Sequence, residues 1–128
     1  MITIEQLKEV KERTESLNRY LDIDGKKMQY EEEQIRTQDP SFWEDAKRAE
    51  AQMKLVKGLE KWIKDYAAVE TLVSELETAF EFFREELVSE EEVDDLYART
   101  LAAVEDLELK NMLRREEDSM DTVLKINS

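Results

Sequence analysis

A chain of 128 residues has room for one domain and one core, and without cysteine it has no disulfide staple. Histidine is absent too, which removes the commonest general acid–base and the commonest metal ligand, and no apolar run approaches the ~18 residues of a membrane span. Charged residues make up 41% of the chain and the net charge is −14; Ala, Glu, Lys, Leu and Arg fill 65 of 128 positions, with Gly at 2 and Pro at 1, a composition of long helices packed side by side.

The N-terminus has no basic segment leading an apolar one, so a secretory leader is not expected and a cytoplasmic location is the default. The first helix opens at Thr3, where Gln6 completes a capping box and Ile2 and Leu7 take the staple positions. Ile4, Leu7, Val10, Thr14, Leu17 and Leu21 recur at steps of three and four, which predicts a helix over 4–21.

DIDG at 22–25 is a break, with Asp22 or Asp24 available to cap a second helix over 24–38. Met28, Tyr30 and Ile35 are its large apolar groups, so a half-exposed helix with a narrow buried edge is expected. Asp22, Asp24 and Glu33 stand at three ligand positions of a calcium loop, but Lys26 and Lys27 fill the places that need an oxygen ligand and a glycine. Two cations inside the cage exclude calcium.

The stretch DPSFWEDAKRAE at 39–50 holds the single proline. Pro40 ends the second helix, and Ser41 with Glu44 reads as a second capping box. Phe42 and Trp43 then lie in the first turn of a third helix, where they are expected to plug the end of a bundle as a structural anchor. From Ala49 to Leu87 the apolar residues step at the coiled-coil period, so one helix over about 42–87 is expected, interrupted in propensity only at Gly58. Such a helix is too long for a compact globule.

Ser89 and Glu92 form a third capping box and start a helix over about 90–116, with Val93, Leu96, Thr100, Val104 and Leu107 on its stripe. The join is short, so this helix folds back antiparallel. DTVLKIN at 121–127 alternates like a short strand. The expected fold is therefore all-α: an elongated antiparallel bundle or coiled coil of about four helices, one very long, with a strand-like tail. Residues 1–118 form the helical domain and 119–128 the truncated first strand of another.

Charge is uneven. Residues 1–64 hold 13 basic and 14 acidic side chains, whereas residues 65–128 hold 6 and 19. The second half repels nucleic acid, so any contact with a polyanion falls to the first. Lys47, Lys54, Lys57, Lys61 and Lys64 share one face of the third helix, as a solvated stripe or as a docking face. No glycine-rich phosphate loop exists, and no carboxylate pair is marked by local sequence. The residues describe a binding or scaffold module with no cofactor and no metal, not an enzyme.

RYLDIDGKK at 19–27, followed by DPSFWEDAKRAEAQ at 39–52, resembles the amino-terminal region of the bacterial peptide chain release factor 2 family. That family carries a Tyr-Leu-Asp stretch and a Pro-x-x-Trp-(Asn/Asp)-x-x-x-(Arg/Lys)-Ala motif. The second is present here from Pro40 through Trp43 to Arg48 and Ala49, with Glu44 in place of the usual Asn or Asp. The closing DSMDTVLKINS resembles the entry strand of the family's next domain.

The resemblance implies translation termination at UAA and UGA codons. It also implies that codon reading and peptidyl-tRNA hydrolysis reside in later domains, beyond these residues. It further implies docking near the ribosomal stalk base, interplay with the GTPase release factor, and no DNA or membrane partner. Tyr20-Leu21-Asp22 corresponds to the place where many members carry a programmed frameshift. The fragment is expected to be a monomer or a weak dimer. The competing reading is a self-standing coiled-coil adaptor with its third helix as a dimer seam.

Overall fold

The computed structural model describes residues 1–127, with side chains described to residue 117. Helix α1 (Ile4–Leu21) starts from the expected box: the Gln6 N–H donates to Thr3 Oγ1 at 3.2 Å and the Thr3 N–H donates to Gln6 Oε1 at 2.9 Å. Leu7, Val10, Thr14, Leu17 and Leu21 form its buried stripe, while Ile4, in the first turn, stays exposed.

Helix α2 (Ile23–Thr37) follows after one residue, Asp22, at φ 49° in the left-handed region. The Asp22 N–H donates back to the Arg19 carbonyl at 3.2 Å, and its carboxylate accepts the Gly25 N–H at 3.3 Å. One aspartate thus ends one helix and caps the next, consistent with the tolerance of Asp for this conformation. Met28 and Ile35 do not form the expected buried edge; both are exposed, and Ile23 and Glu33 are buried instead. The reason is the partner surface. Gln52 on the next long helix donates to both the carbonyl and the carboxylate of Glu33, so this contact is polar.

The third helix begins later than the apolar spacing predicts. Pro40–Glu44 is a 3-10 turn, and α3 spans Ala46–Arg84. Asp39 captures Ser41 through both its N–H (3.0 Å) and its hydroxyl (2.9 Å), so Ser41 cannot cap with Glu44. Asp45 takes that role, accepting from the N–H groups of Lys47 and Arg48 at 3.1 and 3.2 Å. At 39 residues, α3 is about 58 Å long.

Residues 85–89 reverse the chain. The Leu87 N–H donates to the Phe82 carbonyl and the Glu86 N–H to that of Phe83, with Glu86 left-handed at φ 62°. This is a Schellman ending with glutamate where glycine is usual. Helix α4 (Glu90–Asn127) starts with the Glu92 N–H donating to Ser89 Oγ at 3.2 Å. It continues through 121–127, which corrects the strand expected there. A lone strand leaves its N–H and C=O groups unpaired, whereas a continued helix pairs them within itself.

Helix α3 runs antiparallel to α1 and α4. Near the hairpin, Leu7, Leu76, Phe80 and Val93 form one apolar cluster. Further along, Leu17, Leu21 and Ile23 meet Tyr66, Val69, Val73, Val104 and Leu107. The middle of the stripe that resembled a dimer seam, from Tyr66 to Phe80, is therefore packed within the chain, while Met53 and Leu87 stay exposed. Arg13 bridges α1 to Glu108 of α4, and Lys11 bridges it to Glu77 of α3.

Candidate docking face

All five lysines of the predicted stripe lie on the solvent side of α3. The steps of 7, 3, 4 and 3 confine them to one arc, away from the buried Ala49, Val56 and Leu59. Two have carboxylate neighbours one turn back: Lys54 with Glu50 at 3.7 Å and Lys64 with Glu60. The hydrogen bond and the charge of Glu60 hold the Lys64 ammonium above its ordinary pKa. Lys47, Lys57 and Lys61 make no ion pair among the described residues. The face therefore presents a row of hydrated cations on a chain whose net charge is −14.

The acidic start of α4 does not approach this face. Glu90 and Asp94 instead hold the Met1 ammonium at 2.7 and 3.2 Å. That separation matches the hairpin geometry expected from the sequence.

Phe42 and Trp43 are placed differently from a buried plug. Phe42 is half-buried and Trp43 is 50% exposed. Their rings meet edge to face, with centroids 5.6 Å apart and an interplanar angle of 86°. The Trp43 indole N–H donates to the Thr37 carbonyl at 2.8 Å, which ties the end of α2 to the turn. Arg48 lies over the Phe42 ring at 5.8 Å. A proline fixes the turn, and the aromatic pair lies across its outside instead of filling the core.

Sequence reasoning overlooked the cations of α4. Lys110 reaches Asp65 at 3.6 Å and Asp106 at 3.2 Å, and Arg114 lies 5.6 Å over Trp62. Lys26, near the α1–α2 break, donates to the Leu21 carbonyl. Its pKa is lowered by burial first and by the charge of Arg114 second. The missed signal was the Trp62–Arg114 pairing, which only a fold-back register can align. Among the described residues, no group of three or more acidic side chains could hold a metal ion. None of the described helices is long and apolar enough to cross a membrane.

A family model described as PCRF domain matches residues 26–128. This chain belongs to the PCRF domain family. The match covers most of the polar helix α2, the aromatic turn and the α3–α4 hairpin, which carry the lysine row and the Trp62–Arg114 contact. Several curated relatives are named peptide chain release factor 2. The one from Tolumonas auensis is 34% identical over 98% of this chain and 35% of its own length. The Aeromonas hydrophila protein is 30% identical with the same two coverages, and that of an Acidovorax species is 28% identical over 95% and 34%. The PCRF chain spans about a third of the length of these relatives.

Proposed function

We propose that this chain is the docking domain of a peptide chain release factor of the release factor 2 type, acting in translation termination at UAA and UGA codons. The observation that carries the reading is the PCRF match over 26–128, joined to relatives of that name aligned along nearly the whole chain. Residues 1–118 make up the body of the helical domain, and residues 119–128, where α4 runs on to Asn127, lead towards the part that reads the codon and triggers peptidyl-tRNA hydrolysis. The domain itself binds and orients; it acts in the cytoplasm, as a monomer or weak dimer, against the ribosome near its stalk base and in concert with the GTPase release factor.

The division of labour follows charge. Lys47, Lys54, Lys57, Lys61 and Lys64 meet the RNA side, where each phosphate contact releases counterions. The acidic second half faces solvent or basic protein surfaces. Phe42 and Trp43 anchor the turn that keeps α2 against the start of that lysine row.

Reversal of Lys54, Lys57, Lys61 and Lys64 to Glu in the complete factor tests this. Each lost phosphate contact lowers the slope of log affinity against log salt by roughly 0.7–0.9. A clearly shallower slope for ribosome binding is expected. An affinity equal to the parent's at every salt concentration removes the lysine face from the interface.

A further inference from the structure

The tip of the α3–α4 hairpin breaks three local rules at one place. Residues 81–92 carry Glu81, Glu85, Glu86, Glu90, Glu91 and Glu92 against one cation, Arg84, which lies 5.1 Å over the Phe80 ring. Glu90, Glu91 and Glu92 complement the positive start of α4, so folding accounts for them. Glu81, Glu85 and Glu86 lie instead at the negative end of α3, where carboxylates oppose the helix dipole. None of the three makes an ion pair among the described residues; the cations nearby hold Glu77, Glu90, Asp94 and Asp95. Glu86 also takes a left-handed conformation that suits glycine. The same ending brings Phe82 and Leu87 together through the Leu87 N–H, which donates to the Phe82 carbonyl at 2.9 Å. Yet these two apolar side chains stay 42% and 67% exposed.

We propose, building on the docking reading above, that this tip binds a basic segment of a partner protein. An apolar side chain of the partner rests on Phe82 and Leu87, and its lysine or arginine side chains reach Glu81, Glu85 and Glu86. Charge decides the class of partner. Six carboxylates against one arginine repel a phosphate backbone and attract a cationic chain. The apolar pair supplies the desolvated centre of the contact, and the carboxylates form its polar rim. Folding alone gains nothing from three carboxylates at the negative end of a helix, whereas a basic partner pairs all three in the complex. The lysine row, from Lys47 to Lys64, lies towards the other end of α3, so the two surfaces do not overlap.

The 128-residue chain is titrated into the fluorescein-labelled peptide Lys-Lys-Leu-Phe-Lys-Lys, its Lys-Lys-Ser-Ser-Lys-Lys counterpart and a labelled oligouridylate, with anisotropy as the readout. No ribosome is present, so a negative result counts against the tip and not against ribosome docking. Saturable binding of the first peptide is expected, and weaker binding of the second. The triple variant Glu81→Gln, Glu85→Gln, Glu86→Gln should lose about tenfold or more in affinity, and Leu87→Ser about threefold. Glu31→Gln, Glu32→Gln, Glu44→Gln removes the same charge at the opposite end and should leave the affinity nearly unchanged. Circular dichroism should show the tip variant melting at or above the parent's temperature, because its carboxylates oppose the dipole. A lower melting temperature assigns them to folding and overturns the proposal. So does an absence of saturable binding, an equal loss in the two triple variants, no effect of Leu87→Ser, or oligouridylate bound as tightly as the peptide.

Discussion

Replacing Gly58 with alanine should stabilise the chain. Gly58 lies in the interior of α3, and a Cβ built there meets nothing within 4 Å. The residue is exposed and helical, so neither a left-handed conformation nor a close approach requires glycine. Glycine in a helix interior costs about 1 kcal/mol relative to alanine, much of it through freedom in the unfolded chain. With an unfolding entropy of about 2.1 cal/mol/K per residue, 128 residues convert that gain to a rise of roughly 4 °C in Tm. Thermal and urea unfolding followed by circular dichroism measure both quantities. The urea m-value should stay constant, because the same surface is exposed on unfolding. A Tm that falls, or fails to rise, would refute the view that α3 passes regularly through residue 58.

Glu86→Gly should also stabilise, by about 1 kcal/mol, because it relieves a left-handed residue in the Schellman ending; Glu86→Ala should give no such gain, and paired urea curves separate the two. Leu76→Ala removes a side chain with 0% exposure from the contact of α1, α3 and α4. A loss of about 2–5 kcal/mol in urea unfolding is expected. Glu77 raises the pKa of Lys11 above its ordinary 10.5, chiefly through their hydrogen bond. Its contribution is complete below 10.5 and disappears as pH rises through the higher folded value. Lys11→Met should therefore lose less Tm than the parent on going into that alkaline range, and an identical alkaline decline in both would contradict the assignment.

The sequence revealed the helices where periodicity and capping agreed. The Thr3–Gln6 box, the stripe from Leu7 to Leu21 and the Ser89 cap all lie where spacing placed them. It misled where two local rules competed. Ser41 could serve Glu44 or Asp39, and the nearer carboxylate won, which moved the start of α3 to Ala46. The buried edge of α2 was illegible because Glu33 is held by Gln52, and no hydrophobic count anticipates a buried glutamate. The lysine row could be read from helical spacing alone. The contact of Arg114 with Trp62 could not, since the two lie 52 positions apart and meet only through the hairpin register.

Helix α3 packs on α2 and the aromatic turn towards its start and on α1 and α4 from its middle to near its end. The Phe42–Trp43 turn and the Glu85–Ser89 hairpin thus sit at opposite ends of one unbroken helix. The separation between those two ends, about 58 Å, is therefore set by the length of a single helix.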